Sequence, residues 1–206
     1  MYKVVNNWLF ENNTPLQKVS INEDKYSRGN NVCDYIIYHY TASTSASSAH
    51  NTYKNGKVSW HITIDRDGTL YQLLDFRKRA WHAGISNWVR PNGEQTGGLN
   101  SWSIGIEFIN AGPLSFSGCE YKTWFGSVIS PFDVYTDENG KHWQKYTTQQ
   151  IKRALDITPV LCKQYKCLDV MAHSEISPRR KQDTGPAFDE CLLSLKTICK
   201  NIRSGV

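Results

Sequence analysis

No apolar run in this 206-residue chain approaches the roughly 20 residues that a membrane-spanning helix needs. Membrane insertion is therefore not expected. Six cysteines are present without one Cys-x-x-Cys pair, which argues against a four-cysteine zinc site. Internal repeats and low-complexity linkers are also missing, so residues 1–206 read as a single domain. The first ten residues lack the basic start, apolar core and small-residue cleavage site of a signal peptide. Cytoplasmic synthesis is expected, with any later release through a separate route. No fold signature of nucleic-acid recognition accompanies the positive charge, so nucleic acid is not expected as a partner.

Composition is otherwise that of a globular protein, with 39% hydrophobic and 21% charged residues. The net charge of +5 is unevenly placed. Residues 1–140 carry 12 basic and 13 acidic side chains, whereas residues 141–206 carry 12 and 6. That basic last third favours an anionic partner at modest ionic strength. Cys191 and Cys199 fall eight apart in an expected helix, about 12 Å along its axis. This exceeds disulfide reach. Buried free thiols are the expectation for the set.

Residues 33–41 (CDYIIYHYT) are rich in aromatic and β-branched types and predict a buried strand, with His39 on the face of Tyr35 and Ile37. A short helix is expected near 46–54. Residues 60–65 and 69–74 flank a turn ending in Gly68 and predict a hairpin. Residues 103–110 (SIGIEFIN) and 169–173 predict two more strands, the second delivering His173. Thr147 and Gln150 have capping-box spacing for a helix reaching about Tyr165, with Pro159 expected to kink or break it. A last helix is expected over 187–202. Residues 111–146 show no clear period and read as a long surface excursion. Strands interleaved with helices predict an α/β fold, a central mixed β-sheet flanked by helices.

Chemistry concentrates at the end of the chain. His173, Lys181 and Asp183 lie within eleven residues, and His39 ends the first predicted strand. Two neutral imidazoles and one carboxylate form a three-ligand zinc site with a fourth position open to water. A lysine beside it can hold charge that develops on a substrate oxygen. The pattern predicts a metal-dependent hydrolase.

Five blocks stand in order: IIYH at 36–39, SWHITIDRDG at 59–68, AWHAG at 80–84, SIGIE at 103–107 and HSEISPRRKQDTGPAF at 173–188. On these the chain resembles the zinc-dependent N-acetylmuramoyl-L-alanine amidases of the type 2 family, which share a fold with peptidoglycan recognition proteins. The resemblance runs from about residue 35 to 188, within a catalytic core of about 33–203. It implies one Zn2+ per chain, held by His39, His173 and Asp183, and a peptidoglycan or muropeptide partner. It implies catalytic roles for Glu107 and Lys181. Some phage relatives carry a catalytic tyrosine before the histidine of the second block. Trp60 stands there instead, and an indole is no base at neutral pH, so the proton-transfer role moves to Glu107. A second reading leaves Glu107 only a hydrogen bond to a metal-binding histidine. Trp60, His61, His82 and Trp88 are candidate substrate-binding residues. The combination of Glu107, Lys181 and Asp183 resembles the cytosolic recycling branch. The aromatic excursion and basic last third resemble lytic phage amidases, and the lytic role is the expectation. A non-catalytic peptidoglycan-binding protein is the rival from another class.

Overall fold

In the computed structural model, residues 1–20, 24 and 26–205 are described. The chain opens with a small antiparallel sheet that includes β1 (Tyr2–Val5) and β2 (Trp8–Glu11). It then enters the main sheet at β3 (Gln17–Lys18). The heart of the main sheet is β4 (Tyr35–Tyr40). Its first five residues are buried, so both faces are covered and the sequence reads as almost continuously apolar and aromatic. After α1 (Ala46–Asn55), capped by the Ser45 hydroxyl, comes the hairpin of β5 (Ile62–Ile64) and β6 (Leu70–Gln72). Gly68 at φ +86° closes its turn, as the sequence predicts. Then follows β7 (Ser103–Phe108).

Residues 111–146 are not an irregular excursion. They form an antiparallel sheet of five short strands, β8 (Pro113–Ser117), β9 (Glu120–Lys122), β10 (Val128–Ile129), β11 (Val134–Thr136) and β12 (His142–Gln144). Ala111, Leu114, Ile129 and Val134 make its own small core. Asn110 Nδ2 donates to Gln144 O at 3.0 Å, and Gln144 Oε1 accepts from Ala111 N at 2.7 Å, which ties the sheet to the end of β7. Strands of two to five residues are too short to show a period of two, which is why the pattern was invisible.

The chain continues through α2 (Thr148–Tyr165), β13 (Asp169–Ala172) and α3 (Asp189–Ser204). The predicted capping box is present: Thr147 Oγ1 accepts from Gln150 N, and Gln150 Oε1 accepts from Thr147 N, both at 3.1 Å. Pro159 does not break α2, which is continuous past it. Burial of Ala154, Ile157 and Leu161 against the sheet holds the helix together despite the missing donor.

The main sheet has the order β13-β4-β7-β5-β6-β3; only the β5–β6 pairing is antiparallel. This is the expected mixed sheet. On one face, Ile36, Tyr38, Ile104, Ile106, Phe108 and Val170 form the principal core with α2 and α3. The other face carries Tyr35 and Ile37 and, two residues on, His39. All six cysteines are free thiols. Five are buried, whereas Cys119 is exposed, because with Gly118 it forms the two-residue tip of the β8–β9 hairpin. Both tip residues have positive φ, as a type I′ turn requires. No described helix is long and apolar enough to cross a membrane.

Candidate metal centre

Three parallel strands bring their C-terminal ends together on the face opposite α2 and α3. His39 is the fifth residue of β4, Glu107 lies directly beside it in β7, and β13 runs into His173. His173 opens a single helical turn, His173–Ile176, whose Glu175 Oε2 accepts from Ala172 N at 2.8 Å. The chain then loops back so that Asp183 O accepts from Ser174 N at 2.7 Å. Tyr146 Oη donates to Thr184 O at 2.7 Å and fixes the far side of that loop. Ligand sites outside the carboxyl ends of parallel strands are the rule for such sheets.

His39 Nδ1, His173 Nδ1 and Asp183 Oδ2 form a near-equilateral triangle with sides of 2.9, 3.0 and 2.8 Å. All three residues are buried, and among the described residues they form the one cluster with metal-ligand spacing. A tetrahedral zinc about 2.0–2.1 Å from each ligand atom would space them by roughly 3.3 Å. The set therefore needs to open by only a few tenths of an ångström. Two imidazole lone pairs and a carboxylate aimed at one point suit a divalent cation, so the residues fit the metal that the sequence implies.

The other nitrogen of each ring shows how the ligand tautomers are set. His173 Nε2–H donates to Ala83 O at 3.2 Å. His39 Nε2–H donates to His82 Nδ1 at 3.0 Å, and His82 Nε2–H then faces Ser103 Oγ at 3.2 Å. The Ser103 hydroxyl donates to Leu99 O at 2.6 Å. This chain admits one direction of donation, and it leaves His39 Nδ1 as a lone pair for the metal. The loop holding His82 and Ala83 is pinned by Asn100 Oδ1, which accepts from both of their backbone N–H groups. Arg180 locks the loop to the His173 side, donating to Ala83 O at 3.1 Å, Ile85 O at 2.8 Å and Ser177 Oγ at 2.7 Å.

Electrostatics follow from burial. Desolvation lowers His39 from 6.5 to about 4, against an opposing hydrogen bond to Asp183. Burial pushes Asp183 up, but the close approach of the His173 and His39 imidazoles outweighs it and holds the carboxyl below its ordinary range. Glu107 is raised well above its usual value, first by desolvation and then by the Asp183 carboxylate, with Lys181 opposing. Its Oε2 is buried with no hydrogen-bond partner. A buried carboxylate oxygen without a partner costs stability unless something binds there.

A cleft of about 400 Å³ opens above the triangle, with Glu107, Lys181, Arg180, Trp60 and His82 among its walls. Trp60 is almost fully buried in that wall; it is 4% exposed and donates from Nε1 to Thr63 Oγ1 at 2.8 Å. His82 supports a ligand as well as lining the wall. Two of the predicted substrate-binding residues are elsewhere. His61 is 0% exposed, accepting from Gly105 N and facing Lys78 O, so a substrate has no access to it. Trp88 packs on the Tyr35 and Ile37 cluster and borders Leu168 and Asp169, at the opposite ends of the strands. Arg180 and Ser103 were missed by sequence reasoning. Their roles run through backbone carbonyls and a second histidine, and neither leaves a spacing signal.

Comparison with known proteins agrees with this geometry. Residues 28–186 match the family model described as N-acetylmuramoyl-L-alanine amidase. The 1,6-anhydro-N-acetylmuramyl-L-alanine amidase AmpD of Escherichia coli is 31% identical over 133 residues, 65% of this chain and 55% of that protein. The N-acetylmuramoyl-L-alanine amidase AmiD of Escherichia coli is 30% identical over 162 residues, 74% of this chain and 49% of that protein. The chain thus spans about half the length of the curated relatives it matches. Among solved structures, AmiD in complex with the substrate anhydro-N-acetylmuramic acid-L-Ala-D-gamma-Glu-L-Lys superposes with a TM-score of 0.60 at 24% identity, covering 94% of this chain and 65% of that one. A mutant endolysin from Bacillus subtilis gives 0.52 at 21%, covering 91% and 99%. At these identities the structures establish a shared fold.

Proposed function

Since the chain belongs to the N-acetylmuramoyl-L-alanine amidase family, we propose that it hydrolyses the amide joining the lactyl group of N-acetylmuramic acid to L-alanine, using one zinc ion per chain. The observation that carries this reading is the triangle of His39, His173 and Asp183 at the floor of a cleft, with Glu107 beside it, one of its carboxylate oxygens buried and without a partner. Zinc held there supplies Lewis acidity and a water that ionises near neutrality. Glu107 takes the proton of the attacking water and passes it to the leaving amine; its raised proton affinity suits both halves of that task. Lys181, two residues from a ligand and in the cleft wall, holds the charge that develops on the carbonyl oxygen. His82, Ser103 and Arg180 keep the ligand rings oriented, and Trp60 lines the cleft beside them.

We assign polymeric cell wall as the substrate, in a lytic role. The basic last third supports this assignment through attraction to an anionic polymer. The recycling reading, with soluble anhydro-muropeptides as substrate, draws on the His-His-Asp ligand set and on the names of the curated relatives. The test is to incubate zinc-loaded protein with intact sacculi and, separately, with soluble muropeptides. Free stem peptide bearing a new N-terminal alanine is expected from both, faster from sacculi. No release from either substrate would leave only a peptidoglycan-binding protein, and release from soluble muropeptides alone would move the role to recycling.

A further inference from the structure

Trp124 is 77% exposed, yet its indole Nε1 donates to Ala42 O at 3.0 Å. A bare aromatic ring is usually free to turn; this one is pinned. Phe125, 42% exposed, meets it edge-on with centroids 5.2 Å apart. The loop that presents both rings is closed by Gly126 at φ +87° and by Ser127 N donating to Thr123 Oγ1 at 2.9 Å. On the other side, Ala42 itself sits at φ +53°, a strained conformation for alanine that turns its carbonyl to the indole.

Between these rings and α1 lies a groove of about 550 Å³. Its remaining wall is formed by Thr41, Ala42, Ser43, Thr44, Ser48 and Thr52, with the Thr41 hydroxyl buried and the Ser43 hydroxyl donating to Ser45 O, and no charged residue lines it. Thr41, Ala42 and Thr52 also line the metal cleft, so the two depressions adjoin. The charged groups Arg180 and Lys181 belong to the metal cleft alone. A neutral trough with aromatic faces and a hydroxyl rim matches a pyranose, which has C–H faces and an equator of hydroxyl and acetamido groups. Stem-peptide carboxylates would be drawn instead toward Arg180 and Lys181.

We propose that Trp124 and Phe125 form a glycan subsite that holds the sugar adjoining the muramoyl residue under attack. The proposal rests on the amidase reading for its substrate and gives that reading its preference for polymer. The test compares wild type, Trp124→Ala and Trp124→Phe, each zinc-loaded and each checked for an unchanged melting temperature. Peptide-free glycan strands are titrated by calorimetry, and turnover is followed on sacculi and on a single N-acetylmuramoyl peptide. Trp124→Ala is expected to weaken glycan binding and to lower kcat/KM on sacculi, each about tenfold. Its turnover of the single-sugar substrate should stay within about twofold of wild type, and Trp124→Phe should fall between. Unchanged glycan binding in Trp124→Ala overturns the subsite. So does an equal loss on both substrates, which would mean that Trp124 acts through Ala42 on the chain that leaves β4 after His39. A wild-type dimer that Trp124→Ala converts to monomer also overturns it, because a second copy would then be the occupant. Glycan titration needs no turnover, so it still reads the subsite if wild type cleaves nothing and the amidase reading fails.

Discussion

Glu107 sits beside a ligand histidine with one oxygen buried and unpartnered, an arrangement that folding alone would not favour. Replacing it with glutamine should leave zinc stoichiometry intact and lower turnover by about 10²–10⁴-fold, the usual worth of a positioned acid or base. Metal analysis beside the assay checks this; lost zinc would assign Glu107 to ligand support. The stability effect has the opposite sign. An unfolded carboxyl ionises near 4.5, whereas the folded one is raised well above that. The folded state therefore loses stability as pH rises from 4.5 through the raised value. In metal-free protein, Glu107→Gln should unfold at higher urea than wild type at pH 7–8, with the gap closing toward pH 4. His82 makes a second prediction. Removing it as His82→Ala frees the His39 tautomer, so zinc affinity should fall by about 10–100-fold in a chelator competition. The ligands were legible as residue types in motifs; the relay through His82 and Ser103 was not, because its members lie 43 and 64 residues from His39 and meet only in space.

β7 must carry Glu107 on the site face and also let a histidine ring lie flat on its backbone. Gly105 makes that possible: a Cβ there would stand 2.5 Å from His82 Cγ. Gly105→Ala should cost about 1–3 kcal/mol in urea unfolding through overpacking. It should also weaken zinc binding, because the displaced ring is the one supporting His39. Unchanged zinc affinity in a destabilised Gly105→Ala protein would separate packing from the relay. The same strand shows how elements divide between pattern and context. SIGIEF is readable as a strand from its β-branched residues, as is the buried strand at Tyr35–Tyr40. Pro159 and residues 111–146 defied local rules, since packing on the sheet overrode the first and a private four-residue core organised the second.

Across the whole molecule, the site burdens the fold with buried neutral imidazoles. His39 and His61 are both lowered from 6.5 to about 4, mainly by desolvation, and His82 is lowered further. A depressed folded value gives stability that is present above pH 6.5 and lost as pH falls through about 4. Stability of the metal-free protein should therefore drop across that window, by about 1 kcal/mol per pH unit for each histidine at the steepest. Urea midpoints measured from pH 7 to 4 on metal-free Glu107→Gln, which lacks the opposing carboxyl titration, would show it, and a flat profile there would refute the buried-neutral assignment. What the sequence determined by itself was local: strand and helix periods, the caps, and the ligand and acid residue types in ordered motifs. The tertiary structure alone decided which further histidine supports a candidate ligand, since His82 meets His39 while His61, in an equally suggestive motif, is sealed against the backbone of β7. A side chain's type is written in one position, but its partners depend on strand order, and strand order is set by how the whole chain buries its apolar surface.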